Sequence, residues 1–539
     1  MAHLPAKLAA AAGLPTIVIT PFHFNIAKTT SVEQEMEWLG DCEVPYATRS
    51  IVVNILRHRR NGSCIFLRAR DEPRGSKPFF SGIRHPYDVR STQNDNASTL
   101  RRDALFFGAA VGRALPVIDR GASWILLLQD WEAATTALAL KGDRTDLQYS
   151  LFLTLHNSYD NGASDEELGL FGIHPADCPG DTVLKRALPI VKSPVFTVSD
   201  QFALDFTDEI LQAKIMAPHL VSHLTSRLLG VNNGPFSELA VASDILAQAK
   251  HGNFTPLKEW KSVYRKKALA ALDAFTPTKD RPVWGKLKLF NRDDAPWFIM
   301  AGRDDSRQKG YDVACSAISR FLDSGGDARF LFFPIPGDEG LPGLTFLRRL
   351  SQRHPESVLI LPFIFQEGFF AFLQGATYGM IPSLYEPFGM ANEFYLKGTV
   401  GIGRATGGIL QQIVPSQVAK SYSQAVRVRA ERWHAASTRP TGFLYRERDG
   451  IPSAVEDWQA INAAGYNHSG ARPNRVQQRE KLLLYNSMAA ELNSCIGDAA
   501  LIWREQPKMY YQMLIDGIAY IQDNFSWEKA AQLYVRHLG

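Results

Sequence analysis

Short runs of apolar residues recur along the chain and alternate with longer stretches whose apolar residues follow helical spacing. In the first half, the apolar runs are residues 16–20, 50–54, 124–128, 151–155 and 195–198. These runs are apolar on both faces, which is typical of parallel strands covered by helices. Because helical stretches separate them, the pattern predicts the alternating strands and helices of a doubly wound α/β sheet.

A second series of the same kind follows a stretch without strand pattern. Its predicted strands are residues 297–301, 329–333, 358–361, 378–382, 400–403 and 442–445. We therefore predict an α/β protein with four parts: a Rossmann-like domain at 1–236, a helical connection at 237–290, a second Rossmann-like domain at 291–510 and a returning terminal helix at 511–539. Two such domains would face each other across a cleft at the carboxyl ends of their strands, where ligands bind.

Composition and charge exclude several classes of protein. The chain has 539 residues, of which 45% are hydrophobic and 21% charged, with a net charge of +4. This balance argues against a nucleic-acid-binding protein. No apolar run approaches the roughly 20 residues that span a bilayer, so no membrane span is expected. Five scattered cysteines without metal or disulfide spacing predict a cytoplasmic protein.

Two segments of the second domain carry candidate chemistry. Residues 386–389 read Glu-Pro-Phe-Gly, and residues 406–408 read Thr-Gly-Gly. A carboxylate on a turn can bond sugar hydroxyls, and N–H groups at a helix start can bond phosphate oxygens. Taken alone, the same residues are equally compatible with a surface turn capped by Glu386 and an ordinary glycine loop.

Two basic residues follow the first strand of the second domain. Arg303 and Lys309 bracket a turn before a predicted helix. Arginine makes bidentate bonds to phosphate and lysine supplies a mobile charge, so the pair could clamp a diphosphate. With Asp304 and Asp305 beside them, a solvated basic loop is the alternative interpretation.

The order and spacing of these motifs resemble one enzyme family. The second domain reads Gly-Arg at 302–303, Gln-Lys-Gly at 308–310, Glu-Pro-Phe-Gly at 386–389 and Thr-Gly-Gly at 406–408, and the end of the chain reads Phe-Ser-Trp at 525–527. The first domain reads Gln-Asp-Trp at 129–131, Thr-Leu-His-Asn at 154–157, Thr-Val-Ser at 197–199 and Asn-Gly at 233–234. Together they resemble the retaining GT-B glycosyltransferases, most closely the starch/glycogen synthase type.

This resemblance implies a function and roles for residues. The family transfers a sugar, here by default glucosyl, from a nucleotide-diphospho-sugar to a glucan or a small carbohydrate acceptor, with neither metal nor other cofactor. Arg303 and Lys309 would stabilise the departing diphosphate, and Glu386 would hold donor-sugar hydroxyls. The remaining implied contacts are Gly389, Met390, Thr406, Gly407, Gly408 and Asn233 on the donor side, and Gln129, Asp130 and His156 on the sugar or acceptor side.

The chain also departs from the family pattern. The family opens with a strand and a K-x-G-G-L-G-D loop, for which we find no counterpart ahead of Leu4. Gln129 replaces a histidine. Phe394 stands where the family has a second glutamate, so Glu393 is given no catalytic role. These departures leave two alternatives: a pseudo-glycosyltransferase that couples an activated cyclitol to an amino sugar, and a non-catalytic protein that binds sugar or nucleotide.

Overall fold

The chain folds into two units. The computed structural model describes residues 3–23, 26, 30–70, 79–80, 96–142, 146–286, 295–337, 339–463 and 475–538. Unit 1 consists of Met1–Val231 together with Trp527–Gly539, and unit 2 consists of Asn232–Ser526. Within the described residues, no helix combines the length and apolar character needed to cross a bilayer.

Strands and helices alternate through most of both units. The strands are β1 (Val18–Pro21), β2 (Met36–Tyr46), β3 (Arg49–His58), β4 (Cys64–Ala69), β5 (Ser123–Gln129), β6 (Gln148–Leu155), β7 (Val195–Thr197), β8 (Leu228–Gly230), β9 (Trp297–Arg303), β10 (Arg329–Ile335), β11 (Val358–Ile360), β12 (Tyr378–Ile381), β13 (Val400–Arg404) and β14 (Phe443–Tyr445). The helices are α1 (Leu4–Ala12), α2 (Val32–Glu35), α3 (Asn96–Ile118), α4 (Asp130–Gly142), α5 (Asp165–Leu170), α6 (Val183–Ala187), α7 (Asp200–Asp208), α8 (Val221–Leu224), α9 (Ser243–Lys250), α10 (Thr255–Asp273), α11 (Tyr311–Asp323), α12 (Gly340–Gly343), α13 (Thr345–Arg353), α14 (Phe369–Gly375), α15 (Ala391–Leu396), α16 (Gly407–Gln412), α17 (Gln424–Ala430), α18 (Ala454–Asn462), α19 (Arg475–Arg479), α20 (Leu483–Glu505), α21 (Pro507–Asn524) and α22 (Trp527–Leu538).

The first sheet of unit 1 is mixed, in the order β1-β4-β3-β2. Only β1 and β4 pair in parallel, whereas β4, β3 and β2 are antiparallel neighbours. The prediction of a parallel strand at residues 50–54 is therefore wrong. Ile51, Val53 and Ile55 are buried while the residues between them are not, which is the alternation of an antiparallel strand with one solvated face.

The second sheet of unit 1 is parallel, in the order β5-β6-β7-β8. The terminal helix α22 packs on this sheet. Trp527 and Tyr534 join Phe152 of β6 and Phe196 of β7 in one buried cluster. The Tyr534 ring lies 4.7 Å from the Phe196 ring, and its hydroxyl lies 3.2 Å from Thr154 Oγ1.

Unit 2 contains one parallel sheet of six strands in the order β11-β10-β9-β12-β13-β14. The chain enters at β9, adds β10 and β11 on one side, and then returns to add β12, β13 and β14 on the other side. This is the strand order of a doubly wound Rossmann sheet, in which ligands bind where the order reverses. In this sheet the reversal lies between β9 and β12.

The packing of α22 yields a stability prediction. We expect Tyr534→Ala to destabilise unit 1 by about 3–5 kcal/mol, since it removes a large aromatic side chain from a closed cluster. Tyr534→Phe removes only the hydroxyl and should cost about 1 kcal/mol. Amide hydrogen exchange in β6 and β7 would measure both effects without interference from unit 2. Equal exchange in the two variants would contradict the proposed packing role.

Candidate active site

The reversal of strand order in unit 2 brings two loops to the same edge of the sheet. One loop follows β9 and leads from Arg303 to α11, and the other follows β12 and contains Glu386. The loops contact each other, because the Leu384 N–H donates to the Gln308 carbonyl at 2.6 Å. The fold itself therefore brings the predicted basic and acidic residues together.

Lys309 and Glu386 form an ion pair at this position. Lys309 Nζ lies 2.7 Å from Glu386 Oε2, and their side chains are 16% and 9% exposed. Ser383 Oγ donates to the same oxygen at 2.8 Å. Within the described residues, Glu386 Oε1 has no hydrogen bond, so one oxygen of a fixed carboxylate is left for a ligand. The alternative interpretation of Glu386 as the cap of a surface turn is wrong, because Glu386 is buried.

Glycines allow the loops to pack this closely. Gly310 precedes α11 with φ 66°, and a Cβ there would lie 2.1 Å from the Pro382 carbonyl oxygen. A Cβ on Gly407 would lie 1.8 Å from the Glu386 carbonyl oxygen, and one on Gly408 would lie 1.9 Å from that of Phe388. No side chain fits at these contacts. The three glycines therefore allow the backbone of the glutamate turn to lie directly against the starts of α11 and α16.

The backbone N–H groups of the Thr-Gly-Gly segment are partly used inside the protein. The Gly408 N–H donates to the Glu386 carbonyl at 3.1 Å, and the Thr406 N–H donates to the Arg404 carbonyl at 2.8 Å. The Gly408 bond therefore supports the glutamate turn, whereas the Thr406 bond closes a local turn after β13. The predicted contact of Thr406, Gly407 and Gly408 with phosphate stays a prediction.

Gly389 and Met390 lie between the glutamate turn and α15. Gly389 has φ 97°, which favours glycine, and Met390 is the N-cap residue of α15.

A small pocket with an empty volume of about 260 Å³ adjoins the ion pair. Besides the ion pair and Ser383, it is lined by Met300, Ala301, Met380, Ile381, Pro382, Met390 and Phe394.

Arg303 shares the sheet edge with the ion pair, whereas the other residues singled out in unit 2 lie elsewhere in the unit. Arg303 ends β9 on the carboxyl edge of the sheet, opposite Ile335 of β10. Asn233 is buried in the irregular segment that opens the unit. Glu393 Oε1 accepts from the Phe236 N–H at 2.7 Å, and Phe394 is buried beside Gly379. The residue at the second-glutamate position therefore packs in the core.

In unit 1, Gln129, Asp130 and His156 are brought together where β5 and β6 end. His156 Nε2 lies 2.7 Å from Gln129 Oε1, while Gln129 Nε2 donates to the Leu127 carbonyl at 3.1 Å. This arrangement assigns the imidazole proton to Nε2. Asp130, with φ 60°, accepts the His156 backbone N–H at 2.7 Å and so fixes the loop after β6.

Burial governs the protonation of this cluster. It lowers the pKa of His156 to about 4, so the imidazole is neutral at pH 7. Burial raises the pKa of Asp130 to about 7, against the opposing effect of N–H donors from His156 and Asn157. Burial and then repulsion from Asp130 raise the pKa of Glu132 to about 8. The carboxyl groups of this cluster consequently titrate near neutrality.

Sequence reasoning missed several residues that hold the unit 2 site. Ser383 orients Glu386, and the Gln412 side chain donates to the Phe388 carbonyl at 2.7 Å. Arg404 donates to the Leu384 carbonyl from inside the sheet edge. In the sequence, the only indication of a role for Ser383 and Arg404 is that each lies within three residues of a motif, Glu-Pro-Phe-Gly and Thr-Gly-Gly respectively.

Comparisons with known proteins agree with this arrangement. Residues 1–214 match the family described as the starch synthase catalytic domain. The chain is 23% identical over 366 residues to a glycogen synthase of Mannheimia succiniciproducens, covering 66% of this chain and 68% of that one. It is 24% identical over 375 residues to a glycogen synthase of Actinobacillus succinogenes, covering 66% and 69%. These matches confirm the predicted resemblance to the glycosyltransferases of the starch/glycogen synthase type.

A solved structure shows the same fold. The catalytic domain of starch synthase IV from Arabidopsis thaliana, bound to ADP and acarbose, matches this glycosyltransferase with a TM-score of 0.55 at 17% identity and covers 95% of both chains. This structure confirms the predicted GT-B fold, and the matches to the starch synthase catalytic domain and to the glycogen synthases confirm the predicted glycosyltransferase class.

The close packing at Gly408 can be tested in the glycosyltransferase by substitution. Gly408→Ala should destabilise unit 2 by about 1–3 kcal/mol and lower activity, since the Phe388 carbonyl must move. Gly497→Ala is the matched control, because nothing lies within 4 Å of a Cβ there and the residue is inside α20. It should leave stability unchanged or raise it by up to about 1 kcal/mol. Denaturant unfolding and activity assays of both variants would check this, and equal effects would contradict it.

The raised pKa of Asp130 predicts a pH dependence of stability. Its pKa is raised from 3.8 to about 7 in the folded protein, so folding takes up a proton between these values. The stability of unit 1 should therefore fall as pH rises from about 4 to 7, by at most about 1.4 kcal/mol per pH unit from this group. Asp130→Asn should flatten the profile of urea midpoints. Asp181 is exposed, so Asp181→Asn is the control and should leave the profile unchanged. If the profile of Asp130→Asn has the same slope as that of the wild type, the raised pKa does not belong to Asp130.

Proposed function

We propose that the protein transfers a glycosyl unit, by default glucosyl, from a nucleotide-diphospho-sugar to a carbohydrate acceptor with retention of configuration. The observation that carries this proposal is the Lys309–Glu386 ion pair, 2.7 Å long, at the strand-order reversal of unit 2. The names of the relatives support a glucan acceptor, and ADP in the plant starch synthase structure makes ADP the first nucleotide to test.

Lys309 and Arg303 would bind the diphosphate. An ammonium group has three N–H donors, and only one of them is used for Glu386, so Lys309 can keep its ion pair and still bond phosphate oxygens. Arg303 would add a bidentate contact from the end of β9. Fixed positive charge of this kind stabilises the negative charge that develops on the leaving diphosphate, and the proposal needs no metal for that step.

Glu386 would act on the donor sugar. Its Oε2 is held by Lys309 and Ser383, so its Oε1 can accept from sugar hydroxyls and stabilise an oxocarbenium-like transition state. The sugar–phosphate bond breaks with its electron pair passing to the diphosphate. The acceptor oxygen then bonds the anomeric carbon on the same face, and its proton passes to the leaving phosphate oxygen.

Unit 1 would supply sugar or acceptor contacts. Gln129, Asp130 and His156 form a hydrogen-bonded group that can donate to and accept from hydroxyls. Asn233, Gly389 and Met390 would complete the donor side. We also propose a cytoplasmic location, which the free thiols of all five cysteines support.

The proposal predicts a strict dependence on the ion pair. Glu386→Gln and Lys309→Ala should each lower glycosyl transfer by about 100-fold or more, because each removes a charge that acts in the transition state. Initial rates with ADP-glucose and UDP-glucose on a glucan primer would measure this, and NMR of the product would show an α linkage.

A second ion pair in unit 2 provides the control. Arg353 and Asp323 lie 2.8 Å apart near the ends of α13 and α11, helices that lead to the amino ends of the next strands. Arg353→Ala and Asp323→Ala should retain transfer. If calorimetry of the full-length protein detects no binding of any nucleoside diphosphate, the proposed donor is wrong.

A further inference from the structure

A buried arginine reaches the glutamate turn from beneath. Arg404 ends β13 and is 2% exposed. Its Nη1 donates to the Leu384 carbonyl, two residues before Glu386. Its Nε lies 2.8 Å from Glu447 Oε2, and its Nη2 bonds the other oxygen of the same carboxylate. Trp458 covers the guanidinium at 5.3 Å.

Glu447 connects this arginine to a second one. Arg446 Nε lies 3.1 Å from Glu447 Oε1, and Arg446 Nη1 donates to the Ala405 carbonyl at 2.7 Å. The two arginines flank one buried carboxylate, and they hold the pKa of Glu447 down to about 2 although burial opposes this. The carboxylate therefore stays charged at every pH at which the enzyme would be assayed.

These contacts link the ends of three adjacent strands. Arg446 and Glu447 follow β14, Arg404 and Ala405 end β13, and Leu384 follows β12. A rigid guanidinium with both edges occupied cannot shift without breaking several charged hydrogen bonds. The glutamate turn is thus fixed to the sheet at Leu384, and Gly408 holds it from the other side at Glu386.

We propose that Arg404 is a positioning residue for glycosyl transfer, which sets the location of Glu386 through Leu384 and depends on Glu447 for its own orientation. The inference rests on the proposed function of Glu386, but it concerns residues to which that function assigned no role. Arg404 does not touch the ligand in this proposal. It acts only through the turn.

Arg265 provides a matched control at the opposite end of β12, the strand that precedes the glutamate turn. It is 5% exposed and donates to the Gly375 carbonyl at 3.0 Å and to Thr377 Oγ1 at 2.9 Å, just before β12. Arg265 and Arg404 are therefore both buried, and both bond backbone that flanks β12. Arg404→Lys and Arg265→Lys each keep a positive charge in place while removing the planar fork.

The first measurement does not require activity. Amide hydrogen exchange at Leu384 and Gly408 should be at least tenfold faster in Arg404→Lys than in the wild type, and unchanged in Arg265→Lys. Glu447→Gln, which leaves the Leu384 contact in place, should give an intermediate acceleration. Exchange that is equal in Arg404→Lys and Arg265→Lys would overturn the proposal, whatever the enzyme transfers.

The second measurement separates positioning from general destabilisation. Arg404→Lys should lower kcat about tenfold to hundredfold, the effect expected of a displaced catalytic group. In a Glu386→Gln background the same substitution should lower kcat less than threefold, because its effect passes through Glu386. Equal losses in both backgrounds would overturn the proposal. A wild type that transfers no sugar would refute the proposed function alone, since the exchange result stands independently.

Discussion

The unit 2 site depends on the burial of Glu386 next to Lys309. A carboxylate that is 9% exposed needs a partner, because leaving a charge buried and unpaired costs several kcal/mol. Lys309 supplies the opposite charge and Ser383 a further donor, both to the same oxygen. The pair is therefore held in one orientation, and the loops that carry it must keep a fixed distance.

The short distance between these loops explains why glycine is required at three positions better than ligand binding does. Gly310, Gly407 and Gly408 each face a carbonyl oxygen that would lie about 2 Å from a Cβ. The Gly408 N–H is already bonded to the Glu386 carbonyl. A glycine pair after a strand is commonly interpreted as a phosphate cradle. In this chain its first requirement is steric, since the pair lets the helix start pass directly beneath the glutamate turn.

The sequence predicted unit 2 better than unit 1, for a physical reason. Strands β9 to β14 are buried on both faces, so each forms a continuous apolar run between helices. Strand β2 contains Gly40, Asp41 and Pro45, which interrupt the apolar pattern of a strand. In β3, buried and partly exposed residues alternate because one face is solvated. Lys309 and Glu386 could be assigned to one site through motif order, although their ion pair was not predicted. Ser383 and Arg404 could not, because their roles depend on contacts that only the folded chain creates.

Charge is distributed differently in the two units. In unit 2 the site contains a buried ion pair, which suits a step that creates charge. In unit 1 the group at Gln129 and His156 is neutral at pH 7, since burial lowers the pKa of His156 to about 4. Neutral amide and imidazole groups can donate and accept, as sugar hydroxyls do. Gln129 stands where the resemblance predicts a histidine, and it offers hydrogen bonds without a titrating group. Asp130 and Glu132 are then the groups of this cluster whose pKa lies near neutrality.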